Sequence, residues 1–260
     1  MPLGDEMRKE INLSADGLKI AGQLFLPEDI EPPFPAVILC HGIPSGIVDP
    51  TDGGYPALAT TLARSSLAAV TFSFRGTGAS EGDFNIEGWT HDLEAVIEYV
   101  WDLPEIDDSR ISLVGFSAGA AVSICVAASD KRIAGVVACA GPADFRAISD
   151  SGKHQQSLAY FRKIGIIRDP AYPASLPDWL NDFRKVNALH DVADIAPRPL
   201  LLIHSTGDPV VPVADSRRLY EKAGDPKRII ILEGSEHRLR RSQAVVQEII
   251  KWVKGNGQSS

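Results

Sequence analysis

The sequence predicts a protein of the α/β class, with a mostly parallel sheet of about eight strands and helices on both faces. Short, wholly apolar runs alternate with longer helix-like stretches from about residue 36 onward, which is the pattern of parallel strands buried between helices. The 260 residues are 44% hydrophobic and 23% charged, as in an ordinary globular chain that is long enough for a sizeable core. We expect one domain over residues 1–260.

The predicted elements follow in order along the chain. Two antiparallel strands, "KEINLSAD" and "LKIAGQLFLP", flank the turn Asp16-Gly17, and such Asp-Gly turns favour hairpins. The predicted elements that follow are strand "AVILCHG", helix "YPALATTLARSS", strand "AAVTFSF", helix "EGWTHDLEAVIEYVWD", strand "ISLVGFS", helix "AGAAVSICVAAS" and strand "IAGVVACAG". Strand "PLLLIHSTGD", helix "VADSRRLYEKAG", strand "RIIILEGS" and helix "SQAVVQEIIKWVKG" complete the chain.

Residues 142–196 interrupt this alternation. They contain no strong strand, they include Pro170, Pro173 and Pro177, and they concentrate aromatic residues. A structureless loop of this length is uncommon in a compact domain. We therefore expect a small helical lid or cap insertion over residues 142–196.

Charge and cysteine content restrict the partners and the compartment. A net charge of −8 argues against nucleic acid and against an anionic membrane surface. Cys40, Cys125 and Cys139 each lie in an apolar run and are expected to be buried, reduced thiols. The chain shows no signal-peptide pattern and no apolar run of membrane-spanning length, so a cytoplasmic location is expected. The sequence leaves a monomer and a homodimer both open.

Ser117 is the candidate nucleophile. It lies in "GFSAG", between the apolar strand "ISLVGF" and an Ala-rich helix. A sharp strand-to-helix turn needs small neighbours, and Gly115 and Gly119 supply them. The motif alone would also fit an ordinary glycine turn, but its context favours a nucleophile.

Asp208 and His237 are the expected partners of Ser117. Each follows a predicted strand, so both should reach the edge of the sheet where the carboxyl ends of the strands meet. The chain order Ser, Asp, His is that of serine hydrolases with this type of sheet. Asp144 is the alternative acid, and Asp215 a weaker one because it lies within a helix.

The loop "HGIPSG" is expected to complete the oxyanion hole. Pro44 has no N–H group to donate, so the backbone amides of Ile43 and Ala118 are the predicted donors. His41 is expected to brace this loop. His204 is predicted to be a hydrogen-bonded core residue, and His154 and His190 are weaker candidates for substrate contact.

Two competing interpretations are weaker. The stretch "RGTGASEG" resembles a dinucleotide-binding turn, but its spacing differs and no helix follows at once. His91 and Glu94 have helical spacing typical of a solvated face, and no further ligand cluster accompanies them. We therefore predict no metal and no cofactor.

With these motifs in order, residues 10–254 resemble the α/β-hydrolase superfamily. Within it, "FSFRGTGASEGDF" followed by "GWTHDLEAVIEYV" is similar to small cinnamoyl/feruloyl-esterase-like serine hydrolases and their prolyl-oligopeptidase-type relatives. Ser73 stands where those proteins often carry an Asp. Such relatives often place a lid between strands six and seven, where residues 142–196 lie.

The resemblance implies an esterase that forms an acyl-enzyme on a small-molecule ester. We expect the aromatic side chains of Trp179, Tyr160 and Phe161 to wall the substrate pocket. A peptidase or amidase, a C–C-bond hydrolase and a catalytically silent binding protein remain alternatives.

Overall fold

The computed structural model describes residues 8–46, 51–234 and 236–255. The strands in these ranges are β1 (Arg8–Ala15), β2 (Leu18–Phe25), β3 (Phe34–Cys40), β4 (Ala68–Phe72), β5 (Ile106–Phe116), β6 (Ile133–Cys139), β7 (Leu200–Ser205) and β8 (Lys227–Leu232). The α-helices are α1 (Gly54–Ala63), α2 (Ile86–Trp101), α3 (Ala118–Ser129), α4 (Arg146–Ser149), α5 (His154–Lys163), α6 (Leu176–Lys185), α7 (Ala188–Asp191), α8 (Val213–Lys222) and α9 (Gln243–Gly255). Short 3₁₀ helices cover Val192–Ile195 and Leu239–Arg241.

The strands form one eight-stranded sheet in the order β1-β2-β4-β3-β5-β6-β7-β8. The pairs β1–β2 and β2–β4 are antiparallel, and every later pair is parallel. The predicted α/β architecture, with antiparallel first strands, is therefore confirmed.

Alternate side chains of the central strands enter two separate cores. In β3, Ala36, Ile38 and Cys40 belong to the core that α2 and α3 cover, whereas Val37 and Leu39 belong to the core under α1 and α9. Successive side chains of a strand point to opposite faces, so a strand that is apolar at both sets of positions must be covered on both sides. This explains why "AVILC" has no polar residue.

The strand register aligns the carboxyl ends of the central strands. Cys40 pairs with Gly115, Phe116 with Cys139, and Cys139 with Ile203. The loops that follow β3, β5, β6 and β7 therefore leave the sheet side by side. At β8 the last pair is Ser205 with Leu232, which brings the loop before α9 to the same edge.

The segment between β6 and β7 is helical and contains α4 to α7. Helix α6 begins with a capped turn, in which the Ser175 side chain accepts a hydrogen bond from the Asp178 amide and Pro177 lies in the first turn. These residues start helices because the first amides have no partner within the helix. In the part of the chain that the structure describes, no helix has both the length and the apolar character needed to cross a membrane.

Candidate active site

Ser117 lies on a strained turn between β5 and α3. Its backbone angles are φ 54° and ψ −127°, a region that costs a non-glycine residue about 1–3 kcal/mol. The Ser117 amide donates to the carbonyl of Cys139 at 2.9 Å, and its carbonyl accepts from Ala120 at 2.9 Å. These bonds hold the strained residue at the carboxyl edge of the sheet.

The glycines on either side of Ser117 allow close backbone packing. A Cβ atom at Gly115 would lie 2.5 Å from the Cα of Ala120, and one at Gly119 would lie 2.4 Å from the carbonyl oxygens of Cys40 and His41. Any side chain at either position would push α3 away from β5 or from the loop after β3. Both glycines of "GFSAG" are thus required by this local packing, as the sequence indicated.

The structure brings Ser117, His237 and Asp208 into one hydrogen-bonded chain. His237 Nε2 lies 3.1 Å from Ser117 Oγ, and His237 Nδ1 lies 2.7 Å from Asp208 Oδ2. A carboxylate can only accept, so the Nδ1–H group donates to Asp208 and Nε2 is left to accept from the serine hydroxyl. The Asp208 side chain is fully buried, while that of His237 is 18% exposed. The imidazole can therefore take a proton from Ser117 while its other nitrogen stays fixed.

A tight turn and a second histidine hold the Asp208 carboxylate. Its Oδ1 atom accepts from the amides of Val210 at 2.8 Å and Val211 at 3.0 Å. His204, as predicted from its apolar strand, is a hydrogen-bonded core residue: its Nε2–H group donates to the Val211 carbonyl at 3.0 Å. The hydroxyl of Ser216 donates to its Nδ1 at 2.6 Å. Burial lowers the pKa of His204, so the ring is neutral.

The loop after β3 runs directly over Ser117. A Cβ atom on Gly42 would lie 2.7 Å from the Cβ of Ser117. Within the described chain, the amides of Ile43 and Ala118 have no protein acceptor, and Ala118 is the first residue of α3, where amides have no helical partner. The two predicted oxyanion donors are thus available beside Ser117.

His41 holds this loop in place. The Phe74 amide donates to His41 Nε2 at 3.1 Å, so His41 Nδ1 carries the proton and donates to the Gly42 carbonyl at 2.7 Å. Fixing that carbonyl also fixes the Ile43 N–H group, because both belong to one planar peptide. Burial lowers the pKa of His41 to about 4, which keeps the ring neutral in this role.

A cavity of about 640 Å³ opens at Ser117, within the range of small-molecule sites. Ile43, Ser73, Thr77, Ile164 and Arg238 lie among its lining residues. Ser73 therefore faces the site from the position where the resembled proteins often carry an Asp.

The expectation for the aromatic wall has to be corrected. Trp179 is 2% exposed and Phe161 is 4% exposed, and neither lines the cavity at Ser117. They pack around Phe84, and the Trp179 indole donates to the Phe84 carbonyl at 3.1 Å. The sequence cannot separate a core aromatic from a pocket aromatic in a helical insertion. Tyr160 is exposed, with its hydroxyl 3.4 Å from the Ser45 carbonyl oxygen, beside the cavity and outside its lining.

The other candidate residues have partners away from Ser117. Asp144 lies 3.3 Å from Arg218, and Asp215 lies 3.2 Å from the same side chain. His91 lies 2.8 Å from Asp16, and His154 contacts the Ser149 carbonyl. His190 lies 2.7 Å from its neighbour Asp191.

The glycine-rich stretch after β4 is occupied by protein contacts. Arg168 donates to the carbonyl oxygens of Gly76, Gly78 and Ser80. The Arg75 side chain is paired with the fully buried Asp92 at 2.7 Å. This stretch is a braced loop at one wall of the cavity.

Sequence reasoning missed Gly42 and Arg238. Gly42 could have been found from the need for a residue without a side chain directly over a nucleophile. Arg238 could have been found from its place directly after His237, since both residues line the same cavity.

The strand order and the helices on both faces of the sheet are those of the α/β-hydrolase fold. The sequence model of the alpha/beta hydrolase family matches residues 37–248, and the chain belongs to that family. This confirms the resemblance drawn from the motifs.

Two curated proteins are similar to this chain at low sequence identity. An uncharacterised protein, YfhR of Salmonella typhi, is 31% identical over 167 residues, which are 64% of this chain and 53% of YfhR. The esterase FrsA of Escherichia coli O81 is 26% identical over 242 residues, or 92% of this chain and 56% of FrsA. The chain thus spans about half the length of these curated relatives.

Among solved structures, Est1E from Butyrivibrio proteoclasticus shares the fold. The match has a TM-score of 0.72 and covers 96% of this chain and 99% of Est1E, at 17% sequence identity.

Proposed function

We propose that this protein is a serine hydrolase that cleaves carboxylic esters of small to medium acyl compounds through an acyl-enzyme. The observation that carries the proposal is the chain from Ser117 Oγ to His237 Nε2 at 3.1 Å and from His237 Nδ1 to Asp208 at 2.7 Å. It lies at the wall of a cavity large enough for such a substrate.

In this mechanism His237 takes the hydroxyl proton as Ser117 attacks the ester carbonyl. Asp208 keeps the imidazole in the required tautomer and stabilises the imidazolium that forms. The amides of Ile43 and Ala118 stabilise the oxyanion. His237 then protonates the leaving alcohol, and a water molecule releases the acyl group by the reverse steps.

Two observations on related proteins support an ester as substrate. The relative FrsA carries the name esterase, and Est1E has a structure with ferulic acid bound. Amide and C–C-bond substrates would use the same three residues, so the chemical class has to be tested directly.

The proposal includes a lid role for residues 142–196. Ile164, just after α5, lines the cavity, and Tyr160 on α5 reaches the Ser45 carbonyl at the rim. A shift of α5 would therefore change access to Ser117.

A matched substrate panel tests the reaction class. We expect p-nitrophenyl esters of acetate, butyrate and octanoate to be cleaved, with p-nitroanilides of the same acids slower by at least about a hundredfold. Ser117→Ala should lower kcat by about 10³ or more, whereas Ser151→Ala, on an exposed serine, should match the wild type. Anilides cleaved as fast as esters would indicate an amidase, and a folded protein that turns over no ester would contradict the proposal.

A further inference from the structure

The wall of the cavity beside His237 carries two arginines in different electrostatic states. Arg238 and Arg240 both line the cavity, together with Asp52 and Tyr55. The two guanidinium groups differ in whether a carboxylate of the protein already pairs with them, and only an unpaired one is available to a charged ligand.

Arg240 is neutralised by the protein itself. Its guanidinium binds both carboxylate oxygens of Asp52 and lies 5.1 Å from the ring centre of Tyr55. This pair holds the pKa of the Asp52 carboxyl well below its usual range. Arg240 and Asp52 together therefore add no net charge to the cavity.

Arg238 has no such partner among residues 8–46, 51–234 and 236–255. Its guanidinium donates to the Ser45 hydroxyl at 2.6 Å, and no described carboxylate oxygen lies within 4 Å of it. The neighbouring Glu236 accepts from the Arg238 backbone amide at 2.8 Å. A partly buried guanidinium with only a neutral partner is incompletely compensated, so an anion that enters the cavity gains a strong partner.

The position of Arg238 suits a substrate that is bound at Ser117. Arg238 directly follows His237, and its hydrogen-bond partner Ser45 lies two residues beyond Ile43. The Arg238 guanidinium therefore connects the loop that carries His237 with the loop that carries Ile43. If the Ile43 amide binds the ester carbonyl, the Arg238 guanidinium would lie beside a part of the substrate that is a few carbon atoms from that carbonyl. This local positive charge occurs in a chain with a net charge of −8.

We infer that the substrates are anionic esters, in which a carboxylate a few carbons from the ester carbonyl pairs with Arg238. The inference rests on the proposed function and names its substrate class. Half-esters of dicarboxylic acids have this chemistry. Arginine suits the role because its planar guanidinium can bind both oxygens of a carboxylate.

The test compares monomethyl adipate with methyl hexanoate, which has the same chain length without the charge, by pH-stat titration. The wild type should prefer the anionic ester in kcat/KM. Arg238→Gln should reduce this preference about ten- to a hundredfold, the range of a hydrogen bond to a charged group. Arg238→Lys should keep part of it, and added salt should weaken it in the wild type.

Two control variants separate ligand recognition from other roles of Arg238. Arg217→Gln removes one positive charge from the exposed face of α8 and should leave the preference unchanged. Ser45→Ala removes the hydrogen bond within the protein but keeps the guanidinium charge, so the preference should persist. If Arg238 serves only to fasten the Ser45 loop, Arg238→Gln will slow both esters equally, and the inference is wrong.

Asp49 provides a further control, because it lies four positions from Ser45 and outside the described residues. A rise in anionic preference in Asp49→Asn would mean that a carboxylate of the protein already neutralises Arg238, which would contradict the inference.

A binding measurement separates this inference from the proposed function. Calorimetry on Ser117→Ala should show tighter binding of monomethyl adipate than of methyl hexanoate, with the difference lost in the double variant that also carries Arg238→Gln. If the protein turns over both esters without any preference, the inference that its substrates are anionic is wrong, while the proposed function stands. Absence of all ester turnover contradicts the proposed function.

Discussion

His204 Nε2 lies 3.3 Å from Oδ2 of Asp208, the same oxygen atom that accepts the hydrogen bond from His237. Both the His204 and the Asp208 side chains are fully buried. The neutral His204 ring donates to Val211, whose amide in turn donates to the other oxygen of Asp208. A second imidazole thus fixes the turn that presents the carboxylate to His237.

We expect His204→Phe to lower kcat about tenfold or more with little change in KM. The substitution removes the donor to Val211, so the turn of residues 208–211 loses one of its fixed points and Asp208 is oriented less well. It also leaves a buried carbonyl unpaired, which costs about 1–3 kcal/mol of stability. Steady-state kinetics and urea unfolding measure the two effects separately.

The matched control for this prediction is Ser216→Ala. It removes the partner of the other ring nitrogen, which lies 2.6 Å away, and leaves the contacts of Asp208 in place. Its effect on kcat should be smaller. A folded His204→Phe protein with wild-type kcat would show that His204 is only a core residue.

Asp208→Asn should lower kcat on a short p-nitrophenyl ester about 10³–10⁴-fold. An amide in place of the carboxylate can donate to His237 Nδ1 and so favour the wrong tautomer. Asp144→Asn should stay within about twofold of the wild type, because Asp144 pairs with Arg218. Near-normal turnover by Asp208→Asn would transfer the role of the acid to another residue.

Trp179→Ala should destabilise the protein by about 3–5 kcal/mol, the usual cost of removing a large buried aromatic side chain. Its relative rates on acetate, butyrate and octanoate esters should not change, since Trp179 does not line the cavity at Ser117. Urea unfolding and the ester panel check the two parts.

Tyr160→Ala is the matched aromatic variant, because Tyr160 is 43% exposed. It should cost less than about 1 kcal/mol, as surface substitutions usually do. A change of substrate preference in a stable Trp179→Ala protein would restore Trp179 to the pocket.

Stability should fall as the pH drops from about 6.5 towards 4, and His41 should contribute to the fall. An unfolded histidine titrates near pH 6.5, whereas burial lowers the pKa of His41 in the folded protein to about 4. Between these values the unfolded chain binds more protons, so acid favours unfolding by up to about 3 kcal/mol from this residue. The lowered pKa of His204 acts in the same direction.

Urea unfolding at pH 7.5 and 4.5 measures this contribution. The loss of stability between the two pH values should be smaller in His41→Asn than in the wild type. His190→Asn, which replaces a side chain that is 79% exposed, serves as the matched surface control. An undiminished pH dependence in His41→Asn would mean that His41 is not held neutral by burial.

The strands and the partners of Ser117 could be predicted because their signals are local. The all-apolar runs require burial on both faces, and parallel strands place all their carboxyl ends at one edge. Once Ser117, Asp208 and His237 each follow a strand, the topology leaves few ways to keep them apart. The register pairs the strand ends at Cys40, Gly115, Cys139 and Ile203 across the sheet, so the loops that follow them start side by side, as expected.

The cavity wall could not be predicted, since it depends on how the segment of residues 142–196 packs on the sheet. Trp179 and Phe161 have the composition of pocket residues, yet they fill the core around Phe84. Among the described residues, Arg238 is left without a carboxylate partner because Asp52 binds Arg240 instead, and this contact joins residues that are far apart in the sequence. Such pairings leave no periodic signal in the chain.

The most direct test of the account is to treat the folded wild-type protein with a fluorophosphonate probe and locate the adduct by mass spectrometry. The adduct should lie on Ser117, and labelling should be lost in Ser117→Ala and strongly reduced in His237→Asn. A folded wild-type protein that stays unlabelled, or that carries the adduct on another residue, would contradict the assignment of Ser117 as the nucleophile.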